Sequence, residues 1–164
     1  MLLKFKLKVM KLYRTGLSLF ALLIAFGTFA QNGLTLEDGV YYTENKELVK
    51  GEYTTHYKNG NKEAVYSLQN GILNGKAMFF YEDGTQQEIG SYYQGDKDGK
   101  WIKWDKEGNK IAEAYYTKGQ KDGNWTVWDS NGQLRYEMSY EKGERVGVWK
   151  MFNEKGKLVS EKNY

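Results

Sequence analysis

Apolar and polar residues alternate along several short segments of this chain, most regularly over residues 134–140. A period of two is typical of a β-strand that buries one face and solvates the other. Residues 110–116 show the same alternation more weakly. Both segments are therefore predicted to be strands with a one-sided core. The inward residues are expected to be Leu134, Tyr136, Met138, Tyr140, Ala112, Ala114 and Tyr116.

The alternation is part of a 24-residue sequence unit that repeats without insertion or deletion. Each copy begins with a glycine, and the copies together form one domain. Self-similarity at a fixed period indicates a repeat architecture in which each unit packs on the next. The five units are 51–74, 75–98, 99–122, 123–146 and 147–164.

A second glycine stands nine residues after the start of each unit, at the end of a short polar loop. Glycine readily supplies the positive φ of a tight hairpin turn, so each unit is predicted to be a β-hairpin. The connection from one unit to the next, such as residues 118–123, is expected to be looser. The predicted turn glycines are Gly60, Gly84, Gly108, Gly132 and Gly156.

Hairpins stacked in chain order predict an all-β fold. We expect one elongated, twisted antiparallel sheet of β-hairpin repeats, similar to a β-solenoid, that grows by about 10 Å per unit. A lone hairpin is marginal in water, so the units should gain stability from their neighbours. Loss of the indole at Trp125, in a central unit, is then expected to cost about 3–5 kcal/mol, and loss at Trp149 less.

Aromatic residues recur at fixed places in the units. Those at the third and eighteenth places are predicted to form the core: Trp101, Trp125, Trp149, Tyr92, Tyr116 and Tyr140. Those at the sixth place are Phe80, Trp104, Trp128 and Phe152. Residues three apart on a regular strand point to opposite faces, so the sixth-place rings are predicted to line the opposite, partly exposed face. A bulge that brings both sets inside is the alternative, and the sixth-place ridge is either structural or a recognition surface.

The first thirty residues have the layout of a secretory signal peptide. A basic stretch over residues 1–14 precedes an apolar stretch over residues 16–26, and small residues follow up to Ala30. The apolar stretch is shorter than the roughly 20 residues of a spanning helix. We predict a signal helix over residues 1–30 that is cleaved after Ala30, with an uncleaved anchor as the alternative. The protein is expected to be periplasmic or secreted.

Residues 31–50 are predicted to be an N-terminal segment with a polar, loose start. Residues 40–43 have the composition of a strand, and residues 39–50 are interpreted as a degenerate half-repeat. Terminal units of stacked proteins are commonly atypical because they cap an exposed face.

Charge argues against two classes of partner. Of the 24 basic side chains, five lie in residues 1–30, which contain no acid, so the remainder carries 19 basic and 21 acidic groups, a formal charge of −2. Nucleic-acid binding requires a concentrated basic face, and we expect none. The same charge argues against membrane binding after signal removal.

Groups for catalysis or metal binding are scarce. The chain has no cysteine and a single histidine, His56, at a place where other units carry an aromatic ring. Residues 96–99 begin like a calcium loop but lack its later ligands, so we interpret them as a turn. Glu113, Glu137 and Glu161 recur at one place, about 10 Å apart, and are expected to solvate the outer face. We predict no metal, no cofactor and no enzymatic activity.

The repeated phrase resembles a known repeat family. The pattern is Gly-x-Trp-x-x-Trp or Gly-x-Trp-x-x-Phe, followed by Asn-Gly or Asp-Gly and then by Tyr-x-x-Gly. The phrases at residues 57–61 and 119–125 are the most similar to the MORN-type repeat, in particular to the bacterial variant of YwqK-family antitoxins. This resemblance covers residues 51–164. It implies hairpin repeats that bind proteins or, in some members, membranes.

The leading functional hypothesis is an exported, non-enzymatic module that binds another protein or a component of the cell envelope. The first alternative, implied by the resemblance, is an antitoxin or immunity protein that neutralises a toxin by direct binding. The second alternative is binding of cell-wall glycan, for which rows of aromatic residues would serve.

Overall fold

The computed structural model describes residues 33–164, and these residues form β-strands and turns without a helix. The predicted all-β fold of antiparallel hairpins is confirmed. The predicted signal helix and its cleavage after Ala30 lie outside the described residues. Within the described part of the chain, no helix is long and apolar enough to cross a membrane.

Strands follow one another at nearly constant spacing because the sequence repeats. In chain order they are β1 (Leu34–Glu37), β2 (Val40–Thr43), β3 (Gly51–His56), β4 (Lys62–Gln69), β5 (Ile72–Phe80), β6 (Gln86–Tyr93), β7 (Asp96–Trp104), β8 (Lys110–Thr117), β9 (Gln120–Lys121), β10 (Gly123–Trp128), β11 (Leu134–Glu141), β12 (Glu144–Phe152) and β13 (Leu158–Asn163).

Eleven strands build one open sheet in chain order. Neighbours pair antiparallel from β3 to β13, and the short β9 pairs with β8 beside β10. Each unit therefore contributes two strands, and strands pair within a unit or with the unit adjacent in sequence. This is the stack that the period predicted.

The prediction of a single sheet needs one correction. Strands β1 and β2 form a separate two-stranded sheet, and β1 was not predicted. This hairpin reaches the large sheet through Tyr41, whose N–H donates to the carbonyl of Gly71 at 2.7 Å. The Gly71 N–H in turn donates to the carbonyl of Val49 at 2.7 Å. The segment before residue 51 therefore folds back on the turn between β4 and β5.

The expectation of a looser connection between units is wrong. Thr117 and Gln120 are paired, so residues 118–119 alone make the turn from β8 to β9. Lys118 and Gly119 both have positive φ, 48° and 78°, as a two-residue type I′ turn requires. Residues 96–99, interpreted as a turn, lie in strand β7 instead.

Cross-strand partners define the two faces of the large sheet. Trp101 pairs with Ala114, and the next residue, Ile102, pairs with Glu113. Successive side chains of a strand point to opposite faces, so these two pairs lie on opposite sides. We call the side of Trp101 the ladder face. The side of Ile102 and Glu113 is the ridge face.

A register shift occurs in every hairpin just before the sixth residue of the unit. In the third unit, Lys103 pairs with Ala112 but Trp104 pairs with Lys110, so the extra residue is on β8. The first strand keeps its alternation, which places Trp104 on the ridge face. The same shift pairs Leu134 with Trp128, so the prediction that Leu134 points inward is wrong.

Candidate functional site

A continuous row of aromatic rings crosses the ladder face. Neighbouring rings have centroids 4.9–6.3 Å apart, mostly in edge-to-face or tilted arrangements. Such contacts add about 0.5–1.5 kcal/mol per pair to the burial of the rings. The rings are Tyr66, Phe79, Tyr92, Trp101, Tyr116, Trp125, Tyr140, Trp149 and Tyr164.

The structure places all six predicted core residues in this row. Trp101 and Trp125 are buried, with 2% and 6% of their surface exposed. Trp149 and the three tyrosines Tyr92, Tyr116 and Tyr140 are half-buried. Tyr136, predicted to point inward, is 36% exposed.

The second unit fills the row in a different way. Its third residue is Ala77, which is fully buried but carries no ring. Phe79, two residues later on the same face, contacts both Tyr66 at 5.7 Å and Trp101 at 6.2 Å. Side chains two apart on a strand share a face, so the replacement keeps the row continuous.

Three cations at one place of the repeated unit lie over the row, and they were not predicted from the sequence. Lys97, Lys121 and Arg145 occupy the twenty-third place of three successive units. Lys97 Nζ is 3.5 Å from the centroid of Trp101, Lys121 Nζ is 4.3 Å from Trp125, and the Arg145 guanidinium is 4.8 Å from Trp149. The same 24-residue period was the available signal for this set.

The four sixth-place aromatics, Phe80, Trp104, Trp128 and Phe152, are half-buried. Trp128 lies against Lys110, whose Nζ is 4.2 Å from the ring centroid and 3.2 Å from Glu113 Oε2. Because Glu113 is on the ridge face, this contact places Trp128 there too. We call these four residues the ridge.

Hydrogen bonds from the preceding unit hold the backbone of the ridge. The Tyr57 hydroxyl donates to the carbonyl of Phe80 at 2.8 Å, and the Tyr81 hydroxyl donates to that of Trp104 at 2.9 Å. Arg135 Nε donates to the carbonyl of Phe152 at 3.0 Å. Each ridge residue held in this way is fixed by a neighbouring unit and not only by its own strand.

The predicted glutamate row lies on the ridge face. Glu113 pairs with Lys100 at 2.9 Å and with Lys110 at 3.2 Å, and these cations lower the pKa of its carboxyl group, mainly through the hydrogen bond from Lys100. Glu137 pairs with Lys150 at 3.5 Å. Thr126 stands between Glu113 and Glu137 in the sheet, paired with both. Glu113 and Glu137 are therefore neutralised by lysines and separated by Thr126.

A pocket of about 260 Å³ opens between the third and fourth units. Its lining includes Trp101, Trp125 and Tyr116, together with the small side chains Ala112 and Ala114. Small residues between two indoles leave this space. The pocket is lined mainly by apolar atoms, which suits an apolar side chain better than a reacting group.

The predicted turn glycines, Gly60, Gly84, Gly108, Gly132 and Gly156, all have positive φ, between 71° and 89°. His56 is exposed at the end of β3, opposite Lys62. Among residues 33–164 no group of three or more His, Cys, Asp or Glu residues is arranged to hold a metal ion.

Three tyrosines of the row, Tyr66, Tyr92 and Tyr116, have strongly raised pKa values, mainly because they are buried. Burial, followed by the nearby charge of Glu88, raises the pKa of both Tyr92 and Tyr116 to about 12. A tyrosine in the unfolded chain ionises near pH 10. Between these values the folded state holds more protons than the unfolded state, so this contribution to stability is complete below about pH 10 and is lost as the pH rises towards 12.

We therefore expect the urea midpoint of unfolding to fall between about pH 10 and pH 12. Tyr116→Phe should reduce this dependence because it removes one of the three tyrosines with a strongly raised pKa. Ultraviolet absorbance, recorded in parallel, should show tyrosines that ionise only as the protein unfolds. Ionisation of every tyrosine near pH 10 in the folded protein would contradict the burial of these hydroxyl groups.

The fold defines a repeat protein made of an open sheet of tandem hairpins. Residues 121–142 and 145–164 match the family model of the MORN repeat variant, which confirms the predicted MORN-type repeats in this part of the chain. MORN repeats are in general modules that interact with proteins or membranes. The more specific likeness to YwqK-family antitoxins stays a prediction.

Comparison with known proteins adds little to this family match. A search of curated proteins finds no match. Among solved structures, a chain of "Crystal structure of GtfA/B complex bound to UDP and GlcNAc" is similar at 13% identity with a TM-score of 0.28. The alignment covers 79% of this chain and 23% of that chain. A likeness of this size supports no statement about function.

Proposed function

We propose that this chain is an exported, non-enzymatic repeat protein that binds a partner protein of the cell envelope through the ridge. The observation that carries the proposal is the ridge itself: Phe80, Trp104, Trp128 and Phe152, all half-buried on one side of the sheet. Aromatic residues that keep part of their surface exposed are over-represented among the residues that dominate binding energy at protein interfaces.

The neighbouring residues of the ridge face suit an apolar partner in the first units. Val65, Met78, Ile89 and Ile102 pair in succession across β4 to β7. Val65 is buried, and the other three are half-buried. Glu113 continues this row into the later units, where charged residues replace the apolar ones. A partner with an apolar patch and a charged rim fits this division.

Export is proposed from the layout of residues 1–30, and the lack of enzymatic activity from the absence of a recognisable catalytic motif in the sequence. Family likeness favours a second candidate, a protein that neutralises a toxin by direct binding. Glycan binding would use the same exposed rings. These functions differ in the molecule that the ridge recognises.

A pull-down from envelope extract tests the leading proposal. The full chain should retain a discrete protein, and the double variant Trp104→Ala/Trp128→Ala should lose it by at least about tenfold, as expected for two central interface residues. Tyr136→Ala, which removes a partly exposed ring from the ladder face, is the matched control and should bind normally. The protein recovered from the envelope should begin at Gln31.

Three outcomes would contradict the proposal. Equal retention by the wild type and the double variant would remove the ridge from binding. Retention on purified cell-wall polysaccharide, lost in the double variant, would favour the glycan function. An uncleaved chain found only in the cytoplasm, bound to a toxin, would favour neutralisation.

A further inference from the structure

The cations of the ladder face differ in their partners. Lys97 Nζ forms an ion pair with Glu88 at 3.1 Å. For Lys121 and Arg145, residues 33–164 provide no carboxylate within ion-pair distance. Their polar neighbours are phenols: Lys121 Nζ is 3.5 Å from the Tyr140 hydroxyl, and Arg145 donates to the Tyr164 hydroxyl at 3.0 Å. Two positive charges thus lie on aromatic rings without a counter-charge.

On the strands of the last two units the carboxylates all lie on the ridge face, together with Lys150, whereas the charged residues of the ladder face are all cations. Lys121, Arg145 and Lys162 are each the cross-strand partner of a ladder-face residue. Lys162 Nζ is 4.5 Å from the Tyr164 ring. The strand carboxylates of these units occupy the alternate positions and lie on the ridge face. They are Glu137, Glu141, Glu144 and Glu161.

The pKa of Lys121 reflects both its burial and the positive charge on the ladder face. Burial lowers the pKa of the Lys121 ammonium, and the positive charge of Arg145 lowers it further. Each cation is therefore close enough to raise the electrostatic cost of the other. An anion that lies between them would remove this repulsion.

We propose that the ladder face at the C-terminal end of the sheet, from β9 to β13, binds an extended acidic segment of a partner protein, whose carboxylates contact Lys121 and Arg145. The two cations stand two strands apart, which corresponds to about 9.6 Å. A polyproline II helix repeats every three residues, or about 9.3 Å, so carboxylates three residues apart on such a segment match the cations.

The half-buried rings of Tyr140 and Trp149 and the exposed ring of Tyr164 complete the site, next to the buried Trp125. Trp125, Tyr140, Trp149 and Tyr164 form an unbroken part of the row, with centroids 4.9–5.4 Å apart. Aromatic-lined grooves are a recurring way to recognise polyproline II segments because this helix is already ordered before it binds. This second surface is on the opposite side of the sheet from the ridge and does not depend on it.

Peptide binding by the full-length protein tests the proposal. The probe is a synthetic peptide of repeated Glu-Pro-Pro, and the comparison peptides are repeated Lys-Pro-Pro and a Pro-Glu repeat with the same number of glutamates. Calorimetry should detect the Glu-Pro-Pro peptide alone or at least about tenfold more tightly than the others, with affinity falling at high salt. These comparisons require no variant and so do not depend on a variant's folding.

Peptide binding by variants of the protein locates the site. Lys121→Gln/Arg145→Gln should weaken binding of the Glu-Pro-Pro peptide by at least about tenfold. Lys142→Gln/Lys150→Gln removes the same charge from the fourth and fifth units, away from the ladder face, and should bind normally. Glutamine already occupies the place of Lys142 in another unit, at Gln94, with a positive φ of 51°. Trp104→Ala/Trp128→Ala should retain the peptide, which separates this proposal from that of the ridge.

Several results would overturn the proposal. Equal weakening by both lysine-containing double variants would indicate attraction by overall charge. Binding to phosphatidylglycerol vesicles without binding to the peptide would assign the cations to a membrane. A dimer in sedimentation equilibrium that Lys121→Gln/Arg145→Gln dissociates would assign them to a second copy of the chain.

Discussion

Replacement of Trp125 by alanine should lower the free energy of unfolding by about 3–5 kcal/mol. The indole is 6% exposed, contacts the rings of Tyr116 and Tyr140 at 5.2 and 5.4 Å, and donates from Nε1 to the carbonyl of Tyr115 at 3.1 Å. Its loss removes buried apolar surface and leaves a cavity between two units. It also breaks the contact that joins the third unit to the fourth.

Trp149 is the matched comparison. It makes the same kinds of contact, with rings at 5.1 and 4.9 Å and a hydrogen bond from Nε1 to the carbonyl of Ser139 at 3.0 Å, but it is only half-buried. Trp149→Ala should therefore cost less. Urea unfolding of the two variants, compared at equal m-value, gives the difference directly. Equal losses would show that burial between units does not determine the stability of the sheet.

Replacement of Gly90 by alanine should cost about 3 kcal/mol or more, at the upper end for overpacking. A Cβ at this position would stand 2.1 Å from Trp101 Cδ2 and 2.2 Å from Cε2. The indole is rigid and almost fully enclosed, so it cannot turn away from the added methyl group. The backbone of Gly90 has no positive φ, so the clash alone gives the effect.

A double-mutant cycle isolates this cause. If the clash is with the indole, Gly90→Ala should cost much less in the background of Trp101→Leu than in the wild type. Gly108→Ala is the control for a lost glycine, since a Cβ there meets no atom within 4 Å and only its φ of 84° opposes the change. Additive costs at Gly90 and Trp101 would contradict direct contact between them.

The fold could be predicted because the strongest signals in the sequence are periodic. Glycines and aromatic residues at fixed places determine where strands begin and turn, and a two-strand unit can be stacked in chain order without further information. The same glycines did not show which turn is tighter. The polar stretch around Gly119 contains a two-residue turn and a short strand, and alternation over so few residues gives no distinct pattern.

Details of the faces were harder to predict. Alternation assigns residues to faces only while the register is constant, so the extra residue opposite Trp128 moved Leu134 to the side not expected. Phe79 was overlooked because its unit lacks an aromatic at the third place, and continuity of the row is a property of neighbouring units together. Lys121 and Arg145 were overlooked because a basic residue at a repeated position is usually assigned to solvent.

The pairing order has a consequence for the evolution of binding. Every unit adds two strands, so a gained or lost unit leaves the orientation of both faces unchanged and alters their length by a fixed step of about 10 Å. Duplication of one 24-residue unit would thus lengthen the surface by one such step, and the units already present would need no change. A ligand with the same spacing could gain affinity in increments as the array lengthens.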